Sequence, residues 1–283
     1  MQQGREMIIE LAEDYGFCFG VKRAIKIAQE NRNSATYGPL IHNPSEIDRL
    51  KRDFNVALSD DLKSFKAGDT AIIRTHGITK QELALLKKRN VNVVDATCPY
   101  VTKPQQICEE MSAQGYDIVI FGDEAHPEIK GVQSYSTRQV HVVNSPEELD
   151  GLLLYDKVAV VAQTTRRPED YQKIVGKLML THKEVRVFNT ICNATFDNQD
   201  AAEKLAKKAD VMIVIGGKNS SNTKELYKIS LSQCRDSYHI ESADELQEQW
   251  FVGKNFCGIS AGASTPDWII KAVIEQIKHL SQP

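Results

Sequence analysis

Cys18, Cys98 and Cys192 stand 80 and 94 positions apart in matched surroundings. Each follows a strand-like run, alternating or rich in β-branched residues: MIIELAEDYGF, VNVVDAT and VRVFNTI. Each precedes a helical pattern: VKRAIKIAQENR, TKPQQICEEMSAQG and FDNQDAAEKLAKKA. One thiol in such a place is usually a small buried hydrophobe, but three equivalent ones ask for a common task. Three thiolates with a fourth position open suit a catalytic zinc ion, or an iron–sulfur cluster with one iron left free. The spacings match neither a zinc ribbon nor a ferredoxin run, so they do not choose the metal. A cysteine nucleophile would need only one thiol. Cys108, Cys234 and Cys257 have no counterparts in the repeat and read as buried or incidental.

The elements that position these thiols repeat as well. After each helix a strand runs into a glycine, Gly38, Gly122 or Gly216, which lies 20, 24 and 24 residues past its cysteine. A polar loop follows: PLIHNP with His42, DEAHPE with His126 and Glu128, GKNSSNT with Ser220, Ser221 and Asn222. A short strand comes next, and a fourth ends in a second polar turn, at His76, at Thr164 and Thr165, or at Ser264. The last helix, Asp267 to Leu280, has no strand after it, and the N-terminal MIIELAEDY supplies the missing one. The expected fold is α/β, with three pseudo-symmetric lobes of parallel sheet spanning residues 15–96, 97–190 and 191–283, and the N-terminal strand, 1–14, docking on the third. Open α/β sheets bind ligands beyond the carboxyl ends of their strands. Three thiols and six polar turns therefore point at one central cleft.

Composition narrows the partner. A net charge of −3 over 283 residues argues against a broad nucleic-acid surface. No apolar run approaches the roughly 20 residues of a membrane span, and MQQGREMIIE lacks a signal peptide's apolar stretch, so a cytoplasmic location is expected. The loop residues His42, His76, His126, Ser220, Ser221, Asn222 and Ser264 are donors or switchable donors, and the Asn-Ser-Ser-Asn turn runs into a helix N-terminus, a ready anion site. Together they suit a compact, highly anionic ligand such as a diphosphate; no nucleotide-binding glycine motif occurs. Glu128 is the repeat-placed acid of these loops and the natural proton donor or base, unless it only caps the helix beginning near Ile129. His141, His182, His239 and His279 read as structural or solvated.

In order along the chain, G-F-C-F-G-V-K-R-A-I, R-T-H-G, D-A-T-C-P-Y-V-T-K, A-H-P-E, Q-T-T, T-I-C-N-A-T, K-N-S-S-N-T and A-G-A-S-T-P-D resemble the motifs of the 4-hydroxy-3-methylbut-2-enyl diphosphate reductases, from Gly16 to Asp267. The resemblance implies a trefoil of three lobes around a central [4Fe-4S] cluster on Cys18, Cys98 and Cys192, with one iron free of protein ligands. It implies that His42, His76, Ser220, Ser221, Asn222 and Ser264 hold the diphosphate, that His126 lies near it, and that Glu128 and Thr164 serve the substrate's hydroxyl end. The implied activity is reductive dehydroxylation to isopentenyl and dimethylallyl diphosphate, the last step of the methylerythritol phosphate route, with electrons from a partner such as ferredoxin or flavodoxin. Three positions depart from the pattern. Ala125 stands where many relatives have Gly, Asn189 replaces a common Asp, and Pro104 suggests a helix that starts there. A zinc hydrolase using the three thiolates and Glu128, or a diphosphate-binding or iron–sulfur sensor protein without turnover, are the rival readings.

Overall fold

The computed structural model describes residues 7–281. The chain begins with β1 (Ile8–Leu11) and α1 (Phe19–Glu30), then runs through β2 (Ser34–Tyr37), α2 (Pro44–Phe54), β3 (Val56–Ser59), β4 (Thr70–Ile73), α3 (Lys80–Lys88) and β5 (Asn92–Asp95). Next come α4 (Pro99–Ala113), β6 (Asp117–Phe121), α5 (Pro127–Gln133), β7 (Val140–Val143), β8 (Lys157–Ala162), α6 (Pro168–Thr181) and β9 (Glu184–Val187). It ends with α7 (Asn193–Ala206), β10 (Val211–Ile215), α8 (Ser221–Gln233), β11 (Ser237–Ile240), β12 (Phe256–Ala261) and α9 (Asp267–Leu280).

These strands make three four-stranded parallel sheets with one order three times over: β3-β2-β4-β5, β7-β6-β8-β9 and β11-β10-β12-β1. In the third, β1 fills the place that β5 and β9 fill in the others, in register from Ile8 beside Phe256 to Leu11 beside Ile259. The circular closure expected from the sequence is the observed one; residues 1–6 of the expected docking segment lie outside the described residues. By contact the described chain divides into two compact units. One contains the third sheet: the chain through Lys22, His42–Asp48, and Asn193 onward. The other, Arg23–Ile41 with Arg49–Cys192, contains the first two sheets.

Side-chain alternation explains the packing. All five residues of β6 are buried, as are all five of β10; β10, and β6 after Asp117, read as continuous apolar runs with helices on each face. Along β6, Val119 and Phe121 join Val158, Val160 and Ile174 in one cluster, while Ile118 and Ile120 join Ile107, Met111, Val132 and Val161 in another. Successive residues point to opposite faces, so one strand feeds two cores. α9 buries Ile269, Ile270, Val273 and Ile277, a single helical stripe.

Pro104 does not start a helix. α4 begins at Pro99, directly after Cys98, and Pro104 lies inside it. The bond its missing N–H forgoes is to the carbonyl of Tyr100, in the first turn of the helix. Helix α8 sits close on its sheet because two glycines permit it. A Cβ at Gly262 would fall 2.1 Å from Thr223 Oγ1, and one at Gly216 would fall 2.6 Å from the same atom. Gly262→Ala is therefore expected to cost about 1–3 kcal/mol in urea unfolding, and Thr223→Ala added to it should restore part of that loss.

Candidate active site

Each thiol is placed by the same backbone contact. The Cys18 amide donates to the Ala263 carbonyl at 3.2 Å, Cys98 to Thr75 at 3.0 Å, and Cys192 to Thr164 at 2.9 Å. Each acceptor belongs to the polar turn after the neighbouring strand: β12, β4 and β8 in turn. Each cysteine also immediately precedes a helix, α1, α4 or α7. Cys98 is the N-cap of α4 and its side chain makes no capping bond. All three are half-buried and free of disulfides, a donor set that suits a soft metal or an iron–sulfur cluster. Cys108 and Cys257 are fully buried, and burial pushes both thiols up to about 12.

In the unit with the first two sheets, the second-sheet loops build an acid site. Glu128 is 2% exposed. Its Oε1 accepts the Thr164 amide at 2.8 Å and its Oε2 accepts the Thr164 hydroxyl at 2.7 Å. Burial raises the carboxyl above its ordinary range; the Thr164 hydrogen bonds and the Arg166 charge pull the other way without cancelling it. The carbonyl of the same Thr164 receives the Cys192 amide, so one residue ties the buried carboxyl to the backbone of a cysteine. Glu128 is not the helix cap. His126 caps α5, its Nδ1 accepting the Glu128 amide at 3.2 Å, which leaves Nε2 to carry the ring proton outward. The His76 ring meets His126 edge to face, with centroids 5.4 Å apart. Asn189 Oδ1 accepts the Ile191 amide at 3.2 Å, as an aspartate there would. Ala125 is not among the left-handed residues, so it needs no glycine.

In the other unit, the anion loops meet. Ser220 caps α8, its Oγ accepting the Thr223 amide, and the first-turn amides beyond it have no intrahelical acceptor. Ser221 is half-buried at the helix start. Asn222 is 4% exposed, and neither its Nδ2 nor its Oδ1 meets a hydrogen-bond partner among the described residues. A buried amide left so costs free energy unless a ligand completes it. Ser264 donates to the His42 carbonyl at 3.3 Å, and that carbonyl would lie 2.2 Å from a Cβ at Gly217. His42 thus shares a unit with Ser220, Ser221, Asn222, Ser264 and Cys18, while His76, His126, Glu128, Thr164, Cys98 and Cys192 belong to the other. Sequence reasoning missed Arg166, whose charge acts on Glu128; its place right after the Gln-Thr-Thr turn was the available signal.

The sequence matches the family described as LytB protein over residues 9–278. The chain belongs to the LytB family. Its relatives in the family include 4-hydroxy-3-methylbut-2-enyl diphosphate reductases of Sulfurimonas denitrificans, 67% identical over 96% of this chain and 99% of that protein, and of Campylobacter concisus, 63% identical over 97% and 100%. Two solved LytB-type structures resemble the fold. One, described as the terminal enzyme of the non-mevalonate pathway, is 46% identical with a TM-score of 0.71, covering 96% of this chain and 99% of that one. The other, the E-1-hydroxy-2-methyl-but-2-enyl-4-diphosphate reductase from Plasmodium falciparum, is 28% identical with a TM-score of 0.90, covering 98% and 89%. Among the described residues no helix is long and apolar enough to cross a membrane.

Thiol reactivity separates the two cysteine classes. In cluster-free native protein near pH 8, Cys18, Cys98 and Cys192 should alkylate within minutes, while Cys108 and Cys257 stay unmodified until unfolding. Peptide mass mapping after a timed iodoacetamide pulse checks this; early labelling of Cys108 or Cys257 contradicts it.

Proposed function

We propose that this chain reduces (E)-4-hydroxy-3-methylbut-2-enyl diphosphate to isopentenyl and dimethylallyl diphosphate, as the last step of the methylerythritol phosphate route, in the cytoplasm. Cys18, Cys98 and Cys192 would hold a [4Fe-4S] cluster, and the lack of a fourth equivalent cysteine leaves one iron without a protein ligand. When bound, the cluster supplies electrons one at a time from an external donor such as ferredoxin or flavodoxin. The reaction breaks the allylic C–O bond, forms one C–H bond and releases water, so it takes up two electrons and two protons.

The chain's own residues supply position and protons. Ser220, Ser221, Asn222 and Ser264, with His42 and His76, would seat the diphosphate, and His126 would offer its Nε2 proton nearby. The unpartnered amide of Asn222 is the group that a phosphate oxygen would complete. Seating the anion fixes where the hydroxyl end lies. Glu128 then holds a proton at a stated place, its carboxyl clasped by Thr164. The observation that carries this reading is the clasp itself: a buried carboxyl raised by burial, joined through Thr164 to the backbone of Cys192. The lobe boundaries at residues 15–96, 97–190 and 191–283, with strand 1–14 on the third, follow from the repeat and remain part of this proposal.

Two outcomes are expected. Cys18→Ser, Cys98→Ser and Cys192→Ser should each lose most bound iron, while Cys108→Ala keeps it, because a serine hydroxyl replaces a thiolate poorly; full iron in two of the three site variants contradicts the assignment. Glu128→Gln should lower kcat by about 10²–10⁴-fold with KM little changed. The sign of the pH effect follows from the raised carboxyl. The native protein binds that proton more tightly than the unfolded chain, so the stabilisation is present at low pH and lost as pH rises through the raised value. Glutamine lacks that loss, so Glu128→Gln should melt no lower than wild type at neutral pH and should lack the falling alkaline limb of the rate. A variant that turns over at the wild-type rate removes Glu128 as the acid.

A further inference from the structure

The turn from Gly216 to Asn222 is buried at Gly216, Gly217, Ser220 and Asn222 but opens to a pocket on its Lys218 side. Lys218 lines a cavity of about 600 Å³ together with Tyr227, Tyr238, His239, Glu245 and Trp250. What holds the turn on that side is a set of hydrogen bonds from the end of β11. His239 Nε2 lies 2.8 Å from the Gly216 carbonyl. Burial lowers the His239 pKa, so the ring is neutral and its Nε2–H is the donor. Glu241 Oε1 accepts the Lys218 amide at 2.7 Å. The Glu241 backbone amide in turn donates to Glu245 Oε1 at 2.7 Å, and Glu245 Oε2 pairs with the Lys218 ammonium. Gly217, between the two tethered residues, lies under the His42 carbonyl so closely that no Cβ fits. A shift of the turn would therefore move both the Ser220–Asn222 donors and the segment bearing His42.

We propose that Glu241 is a positioning residue for the anion site: through the Lys218 amide it fixes the turn that presents Ser220, Ser221 and Asn222, with Glu245 holding Glu241 in place. The proposal rests on the reading of that turn as the diphosphate seat. Glu241 touches no substrate atom in this scheme; it sets where the donors stand. An acceptor oxygen at the reach of a glutamate suits the task, because the tether must cross from the end of β11 to a backbone amide 23 residues earlier in the chain.

The test is calorimetric titration of anaerobically purified enzyme with inorganic diphosphate, alongside steady-state kinetics and melting temperature. Glu241→Ala should weaken diphosphate binding about tenfold and raise KM in proportion, with kcat and the cluster's absorbance unchanged. Glu241→Gln keeps an acceptor oxygen at the same reach and should stay within about twofold of wild type. Glu241→Asp, which keeps the charge but retracts it, should behave like alanine and provides a milder change should alanine fold poorly. The double variant Glu241→Ala/Asn222→Ala should lose less than the product of the two single losses, because the tether acts through the donors. Glu10→Ala, which breaks an exposed pair with Lys208 in the same unit, should leave binding unchanged. If Asn222→Ala weakens binding while Glu241→Ala and Glu241→Asp bind like wild type, or if the double variant shows the full product, positioning by Glu241 is wrong and the anion site stands. If Asn222→Ala itself binds diphosphate normally, the seat lies elsewhere and this inference falls with it.

Discussion

One backbone hydrogen bond, made three times, sets the chemistry of this protein. The amide of each cysteine reaches the carbonyl of the turn that ends the neighbouring parallel strand. In a parallel sheet all strands end on the same side; each accepting carbonyl lies two residues past its strand, and Cys98, Cys192 and Cys18 lie 3, 5 and 7 residues past theirs, so each thiol stands beside a polar turn beyond the sheet. The helix that begins immediately afterwards turns the chain away. Ser264, His76 and Thr165 each follow the accepting residue directly. Each thiol and the polar turn beside it are therefore placed by the same sheet end.

The acid site shows what this arrangement adds. Thr164 donates twice to Glu128 and accepts once from Cys192, so every polar group it presents there has a partner. A carboxyl in such a place is costly to ionise and therefore keeps a proton available. The hydrogen bonds that hold it in position also oppose the rise in its pKa, which leaves a group able both to keep a proton and to give it up. Orientation and acidity are set by the same residue.

Much of this was legible in the sequence, because it repeats. The three thiols, the polar turns and MIIELAEDY as the missing fourth strand of the third lobe follow from a period in which pattern and spacing recur, whereas the strand order within each sheet does not. What did not show was long-range or backbone in origin. The Thr164 carbonyl has no side-chain signature, and nothing near His42 says that its loop packs with Gly217 and Ser264 rather than with its own sheet. Pro104 misled because a proline that can open a helix can also sit inside one, within the second turn of α4. His239 read as structural or solvated and Glu241 carried no signal, since an acceptor 23 residues from its donor leaves no local pattern.

The circular strand order has a consequence for how the protein comes into being. The first two sheets are each built from contiguous sequence and can close as soon as their own strands have emerged from the ribosome. The third cannot: Ile8 waits for Phe256, and closing so long a loop is slow because its entropy is lost before the contacts form. Until then β1 is an unpaired edge with Cys18 just beyond it, and the earliest thiol to be synthesised is the last to find its carbonyl. Final closure of the third sheet and the seating of the Cys18 amide are thus one event.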